Sequence, residues 1–413
     1  MTDWRDRLGQ SPQLSVEAPL VVDIETVGTP FDGRVLVVGW QEVGEPRAHV
    51  ALYDDVPSDV WAMVADPGRP FVSHTRYDAR FLRLVGRRVD PPYHDTQVMA
   101  WVLDENQSLS LEHLARRYAQ TAMDKRVVRS SGRVWFTRDD GERVPMDEAP
   151  LDELYAYCAR DVEATVCLYE TLWNLLEAEG WLDYYLAEEV PFTSVLVDME
   201  CRGLCIDVGA TERLRDELEA EHARMEAALL EDGGLPPVFN LNSGRHLANY
   251  LFTTATQITG SIPCIPGEYN GMTEEERLET AQLVLDAIGV KFRVSNVGRA
   301  YLHGTWAFKG RGLSPGSATE RSGQPATSKA ALKTNIATAS DPWVQDFLEY
   351  RQVDKLLTTY LRKFPGLAVD GRIYGRFNQT GTKTGRLSSS EPNLQNIPQR
   401  GKYGPRVRRL FKP

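Results

Sequence analysis

Two short β-branched runs open the patterned part of the chain, LVVDI at 20–24 and RVLVVGW at 34–40, separated by the turn-rich TVGTPFDG. Runs of this kind around Gly and Pro predict an antiparallel hairpin. HVALY (49–53) reads as a third strand and FVSH (71–74) as a fourth. DARFLRLVG (78–86), TQVMAWVLD (96–104), SLEHLARRYAQ (110–120) and a long stretch at 150–179 carry apolar residues at helical spacing. Strands and helices therefore interleave, as in an α/β domain. Between the last two helices, RVVRSSGRVWFTRDDGERVP (126–145) has the look of a hairpin with Gly at its turns.

Beyond residue 180 long helical patterns dominate as far as about 231, with a break expected at Pro191, which has no amide hydrogen. In this stretch Val195, Leu196 and Met199 are expected to be core. Residues 260–325 form an insertion, in which 273–289 is an amphipathic stretch set between Gly-, Pro- and Ser-rich pieces. SKAALKTNIA (328–337) and 341–364 read as two helices, and GRIYGRFNQT (371–380) as a strand. The domains expected are thus 1–180, 181–370 and 371–413.

Length and composition alter this picture only by exclusion. At 413 residues, 42% hydrophobic and 25% charged, the chain has the make-up of a globular protein with two or three domains. Five cysteines (158, 167, 201, 205, 264) include no CxxC pair, which fits a reduced compartment. No apolar run approaches the ~18 residues of a membrane span, so a cytoplasmic protein is expected. Charge is more informative. Lys and Arg number 47 against 58 Asp and Glu, a net of −11, yet 371–413 holds ten basic residues and Glu391 alone among acids. A polyanionic partner is directed to that end.

The candidate chemistry lies in carboxylates. Asp23 and Glu25 are two apart on a predicted strand and so share a face. Asp161 stands on a strong helix with Tyr157 one turn before it, and Asp78 near the start of another helix. Acidic side chains gathered in this way need cations, and an oxygen-only donor set suits Mg²⁺ or Mn²⁺ rather than zinc.

Taken in order, VVDIET, SHTRYDARFL and YAYCARD resemble the three exonuclease motifs of the DEDD superfamily in its tyrosine-containing branch. The resemblance covers about 18–180 and implies a ribonuclease H-like fold. It also implies two metal ions, one held by Asp23, Glu25 and Asp161 and one by Asp23 and, through water, Asp78, with Tyr157 and Glu25 orienting the attacking water. Where the family commonly has Asn, this chain has His74. Further on, MECRGLCID, FNLNSGRHLANYLF, QPATSKAAL, LEYRQVDKLLTTYL and above all GTKTGRLSSSEPNLQNIPQR (381–400) resemble landmarks of family A DNA polymerases.

Together these imply an α/β ribonuclease H-like exonuclease domain, a mainly α-helical thumb and the beginning of an α+β palm. Lys383, Arg386, Asn393, Gln395 and Asn396 are the implied DNA contacts, because their side chains suit phosphate and minor-groove acceptors. Arg351 and Lys355 would add phosphate contacts. The palm motif that starts with a metal-binding Asp, the fingers and the HDE motif do not occur in the sequence. The expectation is the N-terminal subunit of a split, phage-type polymerase: an Mg²⁺-dependent 3′-to-5′ proofreading exonuclease that binds a single-stranded 3′ end and primer-template, and needs a second polypeptide for DNA synthesis. The rival expectations are a non-catalytic DNA-binding scaffold and a piece of one continuous polymerase.

Overall fold

The structure is a computed structural model and describes residues 17–121, 123, 126–130, 133–236, 238–263, 291–294, 300–320 and 323–412. Packing divides it into two compact units. One comprises the chain up to Asp207 together with Leu367 onward, and the other Val208–Gly366.

The first unit is built on five strands: β1 (Leu20–Val27), β2 (Arg34–Glu42), β3 (His49–Leu52), β4 (Phe71–Ser73) and β5 (Tyr93–Asp95). Their order is β3-β2-β1-β4-β5; β1, β2 and β3 are antiparallel, and β4 and β5 run parallel to β1. This is the ribonuclease H-like arrangement. The helices are α1 (Ser58–Val64), α2 (Tyr77–Leu84), α3 (Thr96–Leu103), α4 (Leu111–Tyr118) and α5 (Leu151–Ala178). Both faces of β1 are buried, so its apolar residues Leu20, Val21 and Val22 stand consecutively rather than alternating. Leu20, Val22 and Ile24 belong to a core with Val60, Ala79 and Phe81, whereas Val21 packs into the core of α3, α4 and α5.

The predicted hairpin at 126–145 is a three-stranded antiparallel meander, Val127–Ser130, Arg133–Thr137 and Arg143–Pro145. Among β1–β5 and α1–α5, two had no expectation attached to them, β5 and α1. Both are short, three and seven residues.

Pro191 does not break the chain. The preceding residues Tyr185–Glu189 widen into a π-helical turn, and α6 (Val190–Arg202) follows with Pro191 in its first turn. The widened turn before it accommodates the ring and the missing amide hydrogen without ending the helix. The expected core residues of α6 divide. Leu196 is buried, but Val195 and Met199 are exposed and line a groove of about 350 Å³ with Leu204, Ile373, Phe377 and Leu394. Apolar spacing places residues on a face without saying that the face is covered.

Residues 371–380 are not one strand. Arg372–Ile373 pairs with Leu204–Cys205, and Arg376–Asn378 pairs with Ser388–Ser390 in a separate two-stranded sheet. Three buried polar groups attach this segment to α6 and the turn before it. Gln379 Nε2 donates to Glu189 Oε2 at 2.5 Å, Thr193 Oγ1 donates to Gln379 Oε1 at 3.0 Å, and the Phe377 amide donates to Glu200 Oε1 at 2.7 Å. Glu200, only 2% exposed, also accepts from Arg76 at 3.0 Å and lies 3.3 Å from Arg80 Nε, both residues flanking or within α2.

The second unit is mainly helical. Its long helix Val208–Asp232 packs on Pro342–Leu356 around Leu229, Tyr250, Phe308, Trp343, Phe347 and Tyr350, and the Trp343 indole donates to the Leu229 carbonyl at 2.9 Å. Ser328 and Asp341 cap the helices that follow them, accepting from Ala331 N and Val344 N. The expected insertion contains strands: Ala255–Pro263 and Lys291–Val294 flank Ala300–Lys309 in an antiparallel sheet. The amphipathic stretch 273–289 and Cys264 lie outside the described residues. The four described cysteines are free thiols. No helix among the described residues is long and apolar enough to cross a membrane.

Candidate active site

Asp23 and Glu25 continue the face of β1 that Val21 presents to α5. How closely α5 can approach depends on one residue. Gly39, paired with Asp23 across β1 and β2, faces Cys158 and Val162, and a Cβ there would lie 2.7 Å from both Cys158 Sγ and Val162 Cγ2. With no side chain between them, α5 settles on the sheet. Carboxylate oxygens of Asp23, Glu25 and Asp161 then lie within 4.8 Å of one another. A register shift follows directly: Glu25 pairs with Val37 but Thr26 with Val35, a bulge near the end of β1.

The electrostatics follow from burial. Desolvation first, and the neighbouring carboxylate second, push both Asp23 and Asp161 to about 8, far above the ordinary carboxylate range. Asp78 is the neighbour felt by Asp23. It sits in the first turn of α2, 6% exposed and outside the three-carboxylate cluster. The Tyr157 phenol donates to Asp161, opposing that rise, and burial raises the phenol's own pKa. Phe136 of the meander packs edge-on against the Tyr157 ring at 6.0 Å, so the 126–145 segment backs the tyrosine. Asp23, Glu25, Tyr157 and Asp161 are thus brought together as the sequence suggested, with Asp78 beside them.

Three carboxylates at this separation, two of them with pKa values raised chiefly by burial, fit a hard divalent ion. Sequence reasoning overlooked Cys158. Its thiol donates to Asp23 Oδ2 at 3.7 Å, and its position one turn before Asp161 was the available signal. His74 is engaged internally, with Nδ1 3.0 Å from Thr96 Oγ1 and Nε2 3.1 Å from the Leu109 carbonyl. Burial lowers its pKa to about 4, so it stays neutral.

Comparison with known proteins bears on both units. A family model described as 3′-5′ exonuclease matches residues 7–177, and one described as DNA polymerase family A matches 303–413. The chain belongs to family A of the DNA polymerases. Its similarity to the thermostable DNA polymerase I of Thermus aquaticus is 32% identity over 78% of this chain and 28% of that protein. To the DNA polymerase I of Chloroflexus aurantiacus it is 28% over 84% of this chain and 30% of that protein. The chain therefore spans less than a third of these curated relatives. A solved structure described as the POL domain of Pol1 from M. smegmatis in complex with DNA primer-template and dNTP shares the fold. Its TM-score is 0.65 at 20% identity, over 99% of this chain and 56% of that one.

The polymerase part of this family A chain places its suggested DNA contacts in two separate places. Lys383, Arg386, Gln395 and Asn396 are exposed in the first unit. Lys383 Nζ donates to Asn106 Oδ1 at 2.6 Å. Asn393 serves its own loop, its Oδ1 accepting from the amides of Gln395 and Asn396 at 3.1 Å each. Arg351 and Lys355 lie on Pro342–Leu356 of the second unit. Lys355 is exposed, whereas Arg351 donates to the Thr327 carbonyl at 2.5 Å and lies 4.8 Å over the Phe347 ring.

Proposed function

We propose that this polypeptide removes 3′-terminal nucleotides from DNA by hydrolysis, releasing 5′-mononucleotides, with Mg²⁺ or Mn²⁺ held by Asp23, Glu25 and Asp161 and a second ion by Asp23 and Asp78. The convergence of three carboxylates from β1 and α5 carries the reading. When bound, such ions activate water and stabilise the entering and leaving oxygens of an in-line displacement. Glu25 and Tyr157 hold and orient the attacking water, and the phenol's bond to Asp161 fixes that carboxylate against the helix. Mismatch selectivity follows from the single-stranded requirement, since a frayed end reaches the site more readily than a paired one. The proposed roles divide near 180 and 370, although packing joins 181–207 and the residues from Leu367 onward to the first unit.

The basic segment 371–413 and, less strongly, Lys355 hold primer-template through phosphates and minor-groove acceptors. For DNA synthesis we propose that these residues act together with a complementary palm and fingers on a second polypeptide. The decisive measurement is stepwise shortening of 5′-labelled single-stranded DNA with Mg²⁺. Asp23→Ala and Asp161→Ala should each reduce it by about 10³-fold, and equal activity in all three proteins would overturn the assignment. Primer extension and co-elution on mixing with a chain carrying the remaining palm and fingers test the partnership, which fails if neither appears.

A further inference from the structure

The segment around Arg376 touches the end of the exonuclease sheet at two points. Tyr374 packs its ring on Phe31, in the loop after β1, with centroids 4.4 Å apart, and the Arg376 guanidinium lies 5.6 Å from the centre of the Tyr77 ring. Tyr77 in turn shares a hydrogen bond of 3.0 Å with Thr26. Thr26 follows Glu25, and Tyr77 precedes Asp78. Arg376 thus sits against a ring whose neighbour along the chain is Asp78. Its partner is Glu391, at 3.2 Å, with both side chains substantially exposed, and Phe31 is 38% exposed.

This combination answers a physical difficulty of the site. A DNA strand entering it brings phosphates toward four acidic residues, so the approach needs a countercharge and faces on which bases can stack. We propose that Phe31, Tyr374, Tyr77 and Arg376 form the approach ledge for the single-stranded 3′ end. Arg376 exchanges Glu391 for a backbone phosphate, and a base stacks on the Phe31–Tyr374 pair. An exposed ion pair is weak enough to be exchanged in this way, and ring faces accept any base, which suits an activity indifferent to sequence. The proposal rests on the exonuclease reading and assigns how the substrate strand is received.

Two substrates separate the proposals: a single-stranded oligonucleotide, which spans the ledge, and thymidine 5′-(p-nitrophenyl phosphate), which occupies only the carboxylate site. Arg376→Ala and Phe31→Ala should raise the oligonucleotide KM about fivefold to tenfold and leave the KM of the small ester unmoved, while Glu391→Gln, by freeing Arg376, should lower the oligonucleotide KM. The Arg376→Ala effect should shrink as salt rises. An oligonucleotide KM unchanged in both alanine variants, or equal losses on the two substrates, would overturn the ledge. If the parent hydrolyses neither substrate, the exonuclease reading itself falls and takes the ledge with it.

Discussion

The carboxylate site and the basic segment at 381–400 meet opposite structural demands. Glu25, Asp78 and Asp161 are buried on a strand and two helices, each position fixed by packing: Val21 below Asp23, Gly39 opposite it, Phe136 behind Tyr157. Lys383, Arg386, Gln395 and Asn396 are exposed, on a segment tied down by the Ser388–Ser390 pairing and by the Asn393 caps rather than by packing of these side chains. A reaction needs atoms held to fractions of an ångström. A grip on a polyanion needs charge and reach, and it tolerates mobility of the side chains.

The sharpest break of this contrast is Asp161→Asn, which keeps the shape of the site. It should abolish hydrolysis while leaving primer-template affinity intact, as measured by nuclease assay and by binding anisotropy on one preparation. Loss of both would mean that the two regions are not separable. Next in size, Glu200→Ala leaves Arg76 and Arg80 without their buried counter-ion and should cost about 3–5 kcal/mol of stability in denaturant titration. Gly39→Ala should destabilise by about 1–3 kcal/mol, because the new methyl meets Cys158 and Val162, and should lower exonuclease activity more than DNA binding by moving α5 off the sheet.

Protons give a finer test. Asp23 and Asp161 have folded-state pKa values raised from 3.8 to about 8 when metal-free. Their contribution is therefore fully present below 3.8 and is lost as pH rises through 8. A divalent cation displaces those protons, so Mn²⁺ should raise the melting temperature more at pH 8 than at pH 6. A larger shift at pH 6 would contradict carboxylate ligation. The smallest effect is on the other side of the contrast: Arg386→Ala should reduce the slope of log binding constant against log salt by about 1 without changing the rate of hydrolysis.

The site was legible in the sequence because its signals are local: i and i+2 on a strand, i and i+4 on a helix. The fold was legible where elements are long, as in α5, or strongly patterned, as in β1. It was obscure where packing between distant segments decides. The burial of Gln379 depends on Glu189 and Thr193, nearly two hundred residues earlier, and nothing in GRIYGRFNQT announces that its halves join different sheets. Pro191 misled because a helix can widen before a proline as well as end there. Arg351 lies on the expected helix, but its hydrogen bond to Thr327 comes from a segment that helical spacing does not reveal.

The Glu200 junction has a practical consequence for anyone wishing to excise the five-stranded domain. A fragment cut at residue 180 retains both guanidiniums of Arg76 and Arg80 but discards the carboxylate between them and the Val197 side chain that closes the core beside Phe81. The smallest piece able to fold as it does here must keep α6, and so the carboxylate-bearing part of this polypeptide cannot be trimmed to the borders of its own motifs.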